Sequence, residues 1–165
     1  AQWRDGEGQA CRSSAPLSLI ISAFARLADV RGTLTPMPTL APGEGALWLV
    51  DLGAESPRLG GSVLAQVHRQ LGDVPPDLDD PQAFRRVLEW LWREKAAGRV
   101  CAWHDRSDGG LFVALLEMAF AARQGLQIEL EAAIHPLAQL CNEELGVLVE
   151  LADADADAFV ASAAA

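Results

Sequence analysis

What this chain lacks narrows its function before any motif is considered. No apolar run reaches the roughly 18 residues a helix needs to cross a bilayer, and no basic start is followed by a signal-type apolar core. A cytoplasmic protein is the expectation. Basic residues are in deficit, 13 Lys and Arg against 23 Asp and Glu, for a formal net charge of −10. Such a surface repels nucleic acids and anionic membranes, so neither is expected as a partner. A small-molecule nucleotide stays admissible, because Mg²⁺ can bridge phosphate to carboxylate. Cysteines are few and odd in number: Cys11, Cys101 and Cys141 have no metal-ligand spacing and read as reduced thiols. The glycine loop Gly53–Gly61 fits neither the dinucleotide-binding pattern nor the Walker pattern, and packing is its simplest explanation. No internal repeat occurs, and only the Ala/Asp tail is of low complexity.

What is present suits one domain with a sizeable core: 165 residues, half of them hydrophobic. The chain starts without Met and stops at Ala-Ser-Ala-Ala-Ala inside a helical pattern. The expectation is a domain cut from a longer protein at both ends. Ala1–Ser14 is polar and glycine-bearing, which sets residues 1–15 apart as a linker or edge segment from a domain over 16–165. Strands are expected at Pro16–Arg26, Ala46–Leu52, Val100–Trp103, Leu126–Leu130 and Val147–Leu151. Helices are expected at Ser62–Leu71, at Gln82–Ala97 after an Asp80-Pro81 start, at Pro136–Cys141 as a short turn, and from Asp153 onward. Trp90 and Trp92 cannot share one face of the second helix, so one of them meets a neighbouring element. Alternating strands and helices give an α/β or α+β class, a mixed sheet packed with helices.

The chain is organised around Arg99–Gly125, a buried strand, a polar turn from His104 to Gly110 and an amphipathic helix. Leu111, Leu115, Met118 and Ala122 fall on one face of that helix. Asp108 can cap its first turn. The turn sets Asp105, Ser107 and Asp108 beside a positive helix end, where backbone amides suit a phosphate and Asp105 can hold the accompanying Mg²⁺. The competing reading is a capped strand-to-helix connection whose charges simply face water.

His104-Asp105-Arg106-Ser107-Asp108-Gly109-Gly110-Leu111, followed by Glu117-Met118-Ala119-Phe120-Ala121, resembles the large single-chain phosphoribosylformylglycinamidine synthases. Pro16–Pro36, Leu47–Gly53, Arg58–Asp77 and Cys141–Leu151 resemble them too, in the expected order; Cys141 stands where that family usually has Phe. Those enzymes carry out the ATP- and glutamine-dependent ligation of purine biosynthesis. Each has two halves built like aminoimidazole ribonucleotide synthetase and a closing glutaminase domain. The resemblance is to the C-terminal subdomain of the second half. It implies a mixed sheet with helices and an auxiliary Mg²⁺–ADP site held for structure rather than turnover. Carried onto this chain, the metal-binding aspartate falls on Asp105 and the nucleotide-contacting serine on Ser107. No catalytic residue is implied here; the remaining metal ligands, the glutaminase cysteine and the catalytic histidine belong to other domains, the implied partners. The fragment alone is expected to be inactive as a synthetase, and to self-associate through surfaces normally covered.

Other residues carry weaker expectations. His104 reads as a positioning histidine, and His68 and His135 as surface residues. Arg106 pairs with phosphate or with Asp108, and the sequence leaves that open. Glu143 and Glu144 suit an anchoring loop at a domain interface better than an acid–base pair. Asp51, ending its strand, can face the same cleft as Asp105. Cys101 and Cys141 read as inert core thiols. Two rivals stand beside the purine-enzyme reading: a docking module with no ligand, and another ATP-dependent relative of thiamine-phosphate kinase or selenophosphate synthetase type.

Overall fold

The computed structural model describes residues 2–12, 20–53 and 56–163. The chain divides into two compact units, Ala1–Gly32 and Thr33–Ala165. In the first, β1 (Gln2–Arg4) and β2 (Ala10–Arg12) form an antiparallel hairpin. Asp5 closes it, accepting from the amides of Glu7 and Gln9 at 3.0 and 2.9 Å. The strand expected over Pro16–Arg26 does not form in its described part. Residues 20–26 have no regular structure, and Ile20 and Phe24 are 91% and 95% exposed. The first four residues of that expected strand, 16–19, lie outside the described residues. Alternation supplies only one of the two things a strand requires, and no described strand is paired with residues 20–26.

The second unit is built on a three-stranded sheet. β3 (Gly45–Asp51) and β4 (Val100–Asp105) flank β5 (Gly146–Ala152), both antiparallel to it. Every described pairing is antiparallel, so of the two class labels the sequence allowed, α+β applies, and the parallel pairing of a mixed sheet is absent among the described residues. β5 is buried along both faces and is apolar except for Glu150, whose carboxylate accepts from the amides of Thr39 and Leu40 at 2.8 and 3.2 Å. Val147, Val149 and Leu151 join Trp90, Leu91, Val100 and Phe159 in one core cluster, while Leu148 faces Ala102, Ala114, Leu115 and Met118 in the other. A bulge between Val100 and Ala102 sends these two residues of one strand to opposite faces.

The helices follow their local signals unevenly. α2 (Pro81–Ala96) starts where expected, with Asp80 accepting from the amides of Gln82 and Ala83 at 2.9 Å each. Of its tryptophans, Trp90 is buried against Phe159 of α5 (Asp153–Ala163), while exposed Trp92 stacks on Trp103 at 6.4 Å. α3 (Gly110–Ala122) buries Leu115 and Met118, with Leu111 and Ala122 half-buried on the same side. α4 (Pro136–Cys141) is the expected short turn, capped by His135. α1 is only Val63–Val67, shorter than the expected Ser62–Leu71. Arg69 takes a left-handed conformation (φ +56°), and the chain doubles back so that Gly60 and Gly61 donate to the carbonyls of Val74 and Leu71. Leu126–Leu130 is also not a strand; its apolar residues stay partly exposed, again with no described strand paired to them.

One polar cluster sits inside this core. Trp90 Nε1 donates to Ser162 Oγ at 2.8 Å, Ser162 Oγ donates to Glu94 Oε1 at 2.9 Å, and Arg99 Nε donates to Glu94 Oε2 at 2.5 Å. Glu94 is buried, and Arg99 above all holds its carboxyl below the ordinary value of 4.5. A depressed carboxyl stabilises the fold fully above its unfolded pKa and loses that contribution as pH falls through the folded one. Thermal or urea unfolding followed from pH 6 down to pH 3 is therefore expected to show a smaller acid loss of stability in Glu94→Gln than in the wild type, with the variant the less stable of the two at pH 6.

Candidate functional site

The chemistry gathers at one end of the three-stranded sheet. Asp51 ends β3 opposite Gly146, and Asp105 ends β4 opposite Val147, so the two carboxylates stand at the same edge, on either side of the start of β5. Arg106 lies between them and is buried. Its Nε donates to the carbonyl of Glu144 at 2.5 Å, and its Nη2 donates to the carbonyl of Leu145 at 2.9 Å and to Asp51 Oδ1 at 2.7 Å. Of the partners the sequence left open for Arg106, Asp108 is not the one it takes; its Nε and Nη2 bond within the protein. Gly146 makes room for it, since a Cβ there would press on the guanidinium at about 3.1 Å.

The two residues expected to meet the ligand are turned outward by this arrangement. Asp105 and Ser107 are both exposed, one on each side of buried Arg106. Asp105 Oδ1 accepts from Trp103 Nε1 at 2.9 Å, which orients the carboxylate. The amide of Gly110 donates to the carbonyl of Ser107 at 2.8 Å and closes the turn. An exposed, oriented carboxylate is a hard-oxygen ligand suited to Mg²⁺, and an exposed hydroxyl can donate to phosphate. The fit is to a single ligand, however: among the described residues no group of three or more His, Cys, Asp or Glu side chains could hold a metal ion. Other ligands would have to come from beyond these residues.

Asp108 does not cap α3. The residue ahead of the helix is Gly109 in the left-handed region (φ +84°), and no side chain of its own caps the first turn. Glu143 Oε1 accepts the Gly109 amide at 2.8 Å instead. That amide, counted by the sequence among the groups open to phosphate, is thus already bonded within the protein. Gly110 admits no Cβ, which would collide with the backbone of Cys141 and Asn142, so α3 begins pressed against the end of α4. Glu143 and Glu144 diverge, as an anchoring loop requires and an acid–base pair does not. Glu144 is buried and grips Arg58, with Nε to Oε1 at 2.5 Å and Nη2 to Oε2 at 2.6 Å, while Arg58 also meets Asp79 at 2.8 Å. Glu144 and then Asp79 raise the Arg58 guanidinium above its ordinary pKa, so it stays charged at any working pH.

Beside the turn, His104 Nε2 lies 2.6 Å from Glu117 Oε2 and Nδ1 lies 2.8 Å from the carbonyl of Asp105. Both ring nitrogens are engaged, which fits a positioning histidine. Burial pushes the thiols of Cys101 and Cys141 up, away from nucleophilic thiolate. A groove of about 730 Å³ lined by Leu47, Leu49, Leu111 and Leu115 does not include Asp105 or Ser107. Sequence reasoning missed Arg58 and the inward turn of Arg106, for neither has a local signal that separates a buried guanidinium from a solvated one.

Arg106→Met keeps much of the side-chain volume but takes a donor from the carbonyls of Glu144 and Leu145, the second of which keeps the Leu52 amide at 2.9 Å, and leaves Asp51 without its cation. It is expected to destabilise the fold by about 2–4 kcal/mol, read as a lower urea midpoint with an unchanged slope. A change near zero would mean that water replaces the guanidinium without loss.

No described helix is long and apolar enough to span a membrane. Residues 46–165, which hold β3 from Ala46 on, the Arg106 anchor and the Asp105–Ser107 turn, match the family described as AIR synthase related protein, C-terminal domain. The match covers well over half of the chain and includes every residue of the site just described, and the chain therefore belongs to the AIR synthase related family, as its C-terminal domain.

Proposed function

We propose that this chain is the C-terminal subdomain of the second synthetase-like half of a phosphoribosylformylglycinamidine synthase. On this reading it works in the cytoplasm, within the ATP- and glutamine-dependent conversion of formylglycinamide ribonucleotide to formylglycinamidine ribonucleotide. Its own contribution is to an auxiliary Mg²⁺–ADP site, with Asp105 as one metal ligand and Ser107 as a nucleotide contact. Membership of the AIR synthase related family supports the broader part of the reading, an ATP-dependent enzyme. The ordered likeness of Arg58–Asp77 and Cys141–Leu151 favours the purine enzyme over the thiamine-phosphate kinase and selenophosphate synthetase types.

The observation that carries the site is the alternation at the end of β4. Asp105 faces solvent, Arg106 is buried, its side chain bonded to Asp51 of β3 and its amide to Gly146 of β5, and Ser107 faces solvent again. A metal ligand and a hydroxyl are thus presented on a backbone held from beneath, which limits what a ligand must reorganise on binding. Bound Mg²⁺ would neutralise phosphate charge there. The chain's own residues would orient it: Trp103 fixes Asp105, and Arg106 fixes the turn. The other domains of the parent enzyme, the first synthetase-like half and the glutaminase domain, would supply the remaining ligands and the reacting groups.

The test uses the intact, full-length enzyme and its Asp105→Asn variant, which keeps an oxygen for Trp103 but removes the charge. Each is heat-denatured and the released adenine nucleotide is counted per chain. A stoichiometric nucleotide in the wild type and its loss from the variant are expected. Equal release from both would contradict the metal role of Asp105 and favour a docking module.

A further inference from the structure

The carboxylate of Glu143 is shared by two loops that lie far apart in the sequence. Its Oε1 accepts from the amide of Val63, the first residue of α1, and from the amide of Gly109, the residue ahead of α3, both at 2.8 Å. The donors stand 80 and 34 residues before it. Local capping does not account for this. α1 already has its own cap, because Ser62 Oγ accepts from Ala65 at 3.2 Å. α3 has none of its own and depends on Glu143 for the Gly109 amide. One oxygen therefore cross-links the start of α1, at Val63, to the turn that carries Asp105 and Ser107.

Glu143 is itself held from both sides. Before it, Asn142 is buried and its Nδ2 donates to the carbonyls of Ala138 and Gln139 at 2.6 and 3.2 Å. After it, Glu144 is clamped by Arg58 and its carbonyl accepts from Arg106. The carboxylate thus reaches out from a fixed backbone, and it can transmit a displacement from one loop to the other rather than absorb it.

We infer that Glu143 is a positioning residue for the ligand turn: it makes the start of α1 at Val63 and the turn Arg106–Gly110 move as one unit, so that a phosphate-bearing ligand at Asp105 and Ser107 is felt at the start of α1. The ligand part of this inference rests on the nucleotide reading of the turn given above. The cross-link itself rests only on the two hydrogen bonds. Glutamine at 143 keeps an acceptor oxygen for both amides, whereas alanine removes it.

Backbone amide exchange on the intact protein separates the possibilities, comparing wild type, Glu143→Ala and Glu143→Gln, each with and without added Mg–ADP. Without ligand, the alanine variant is expected to exchange about tenfold faster, or more, over both Val63–Val67 and Gly109–Val113, the scale of one lost hydrogen bond to a charged group. The glutamine variant is expected to restore most of the protection. Added Mg–ADP should slow both segments in the wild type and the glutamine variant, but only Gly109–Val113 in the alanine variant. Acceleration of one segment alone in the alanine variant would overturn the cross-link. Equal protection of α1 by Mg–ADP with and without the carboxylate would overturn the coupling. If Mg–ADP slows neither segment in the wild type, the nucleotide reading fails, and the ligand-free comparison still decides the cross-link.

Discussion

The end of the sheet depends on one buried guanidinium. Arg106 leaves β4, turns inward and bonds to Asp51 at the end of β3 and to two carbonyls just ahead of β5, so a single side chain ties three strands where they finish. Its backbone amide adds a further bond to the carbonyl of Gly146 at 2.9 Å. Removing the charge from such a place would take donors from polar groups that are held inside the protein. The same inward turn forces its neighbours outward. Asp105 and Ser107 face solvent because Arg106 does not, and the site follows from that alternation.

Around this anchor a second layer of charge orders the loops. Glu144 fixes Arg58, which reaches on to Asp79 ahead of α2, and Glu143 joins the starts of α1 and α3. Two consecutive glutamates thus fix loops from three parts of the chain against the start of β5. A chain with a net charge of −10 uses several of its few cations in these internal bonds, Arg58, Arg99 and Arg106 among them. On the proposed reading, the exposed apolar residues of each unit, Ile20 and Phe24 in the first and Trp92 and Phe120 in the second, are surfaces on which other domains of the parent enzyme would pack.

Much of the fold was legible in the sequence, and what was not has a common cause. β3, β4, β5, α2 and α3 are runs whose periodicity and stop signals are local, such as Asp80-Pro81 ahead of α2. Ile20–Arg26 and Leu126–Leu130 have strand-like alternation, but a strand also needs an edge to pair with, and that is a property of the whole fold. Asp108 looks like a cap because it sits in the right place along the chain; the group that bonds the Gly109 amide is Glu143, whose approach no local pattern records. The direction of Arg106 was illegible for the same reason. Asp105 and Ser107 could be singled out because strand end, turn and helix start are all written within a few residues, and the family likeness pointed to the same two positions.

The central claim is that this turn holds a nucleotide-bound divalent cation. The most direct measurement replaces Mg²⁺ with paramagnetic Mn²⁺, adds ADP to the intact protein and maps the broadening of backbone amide resonances. Broadening centred on Asp105–Ser107, and dependent on ADP, is the expected result. Broadening centred elsewhere, for example on Asp153–Asp157 at the start of α5, with the Asp105–Ser107 amides unaffected, would contradict the account.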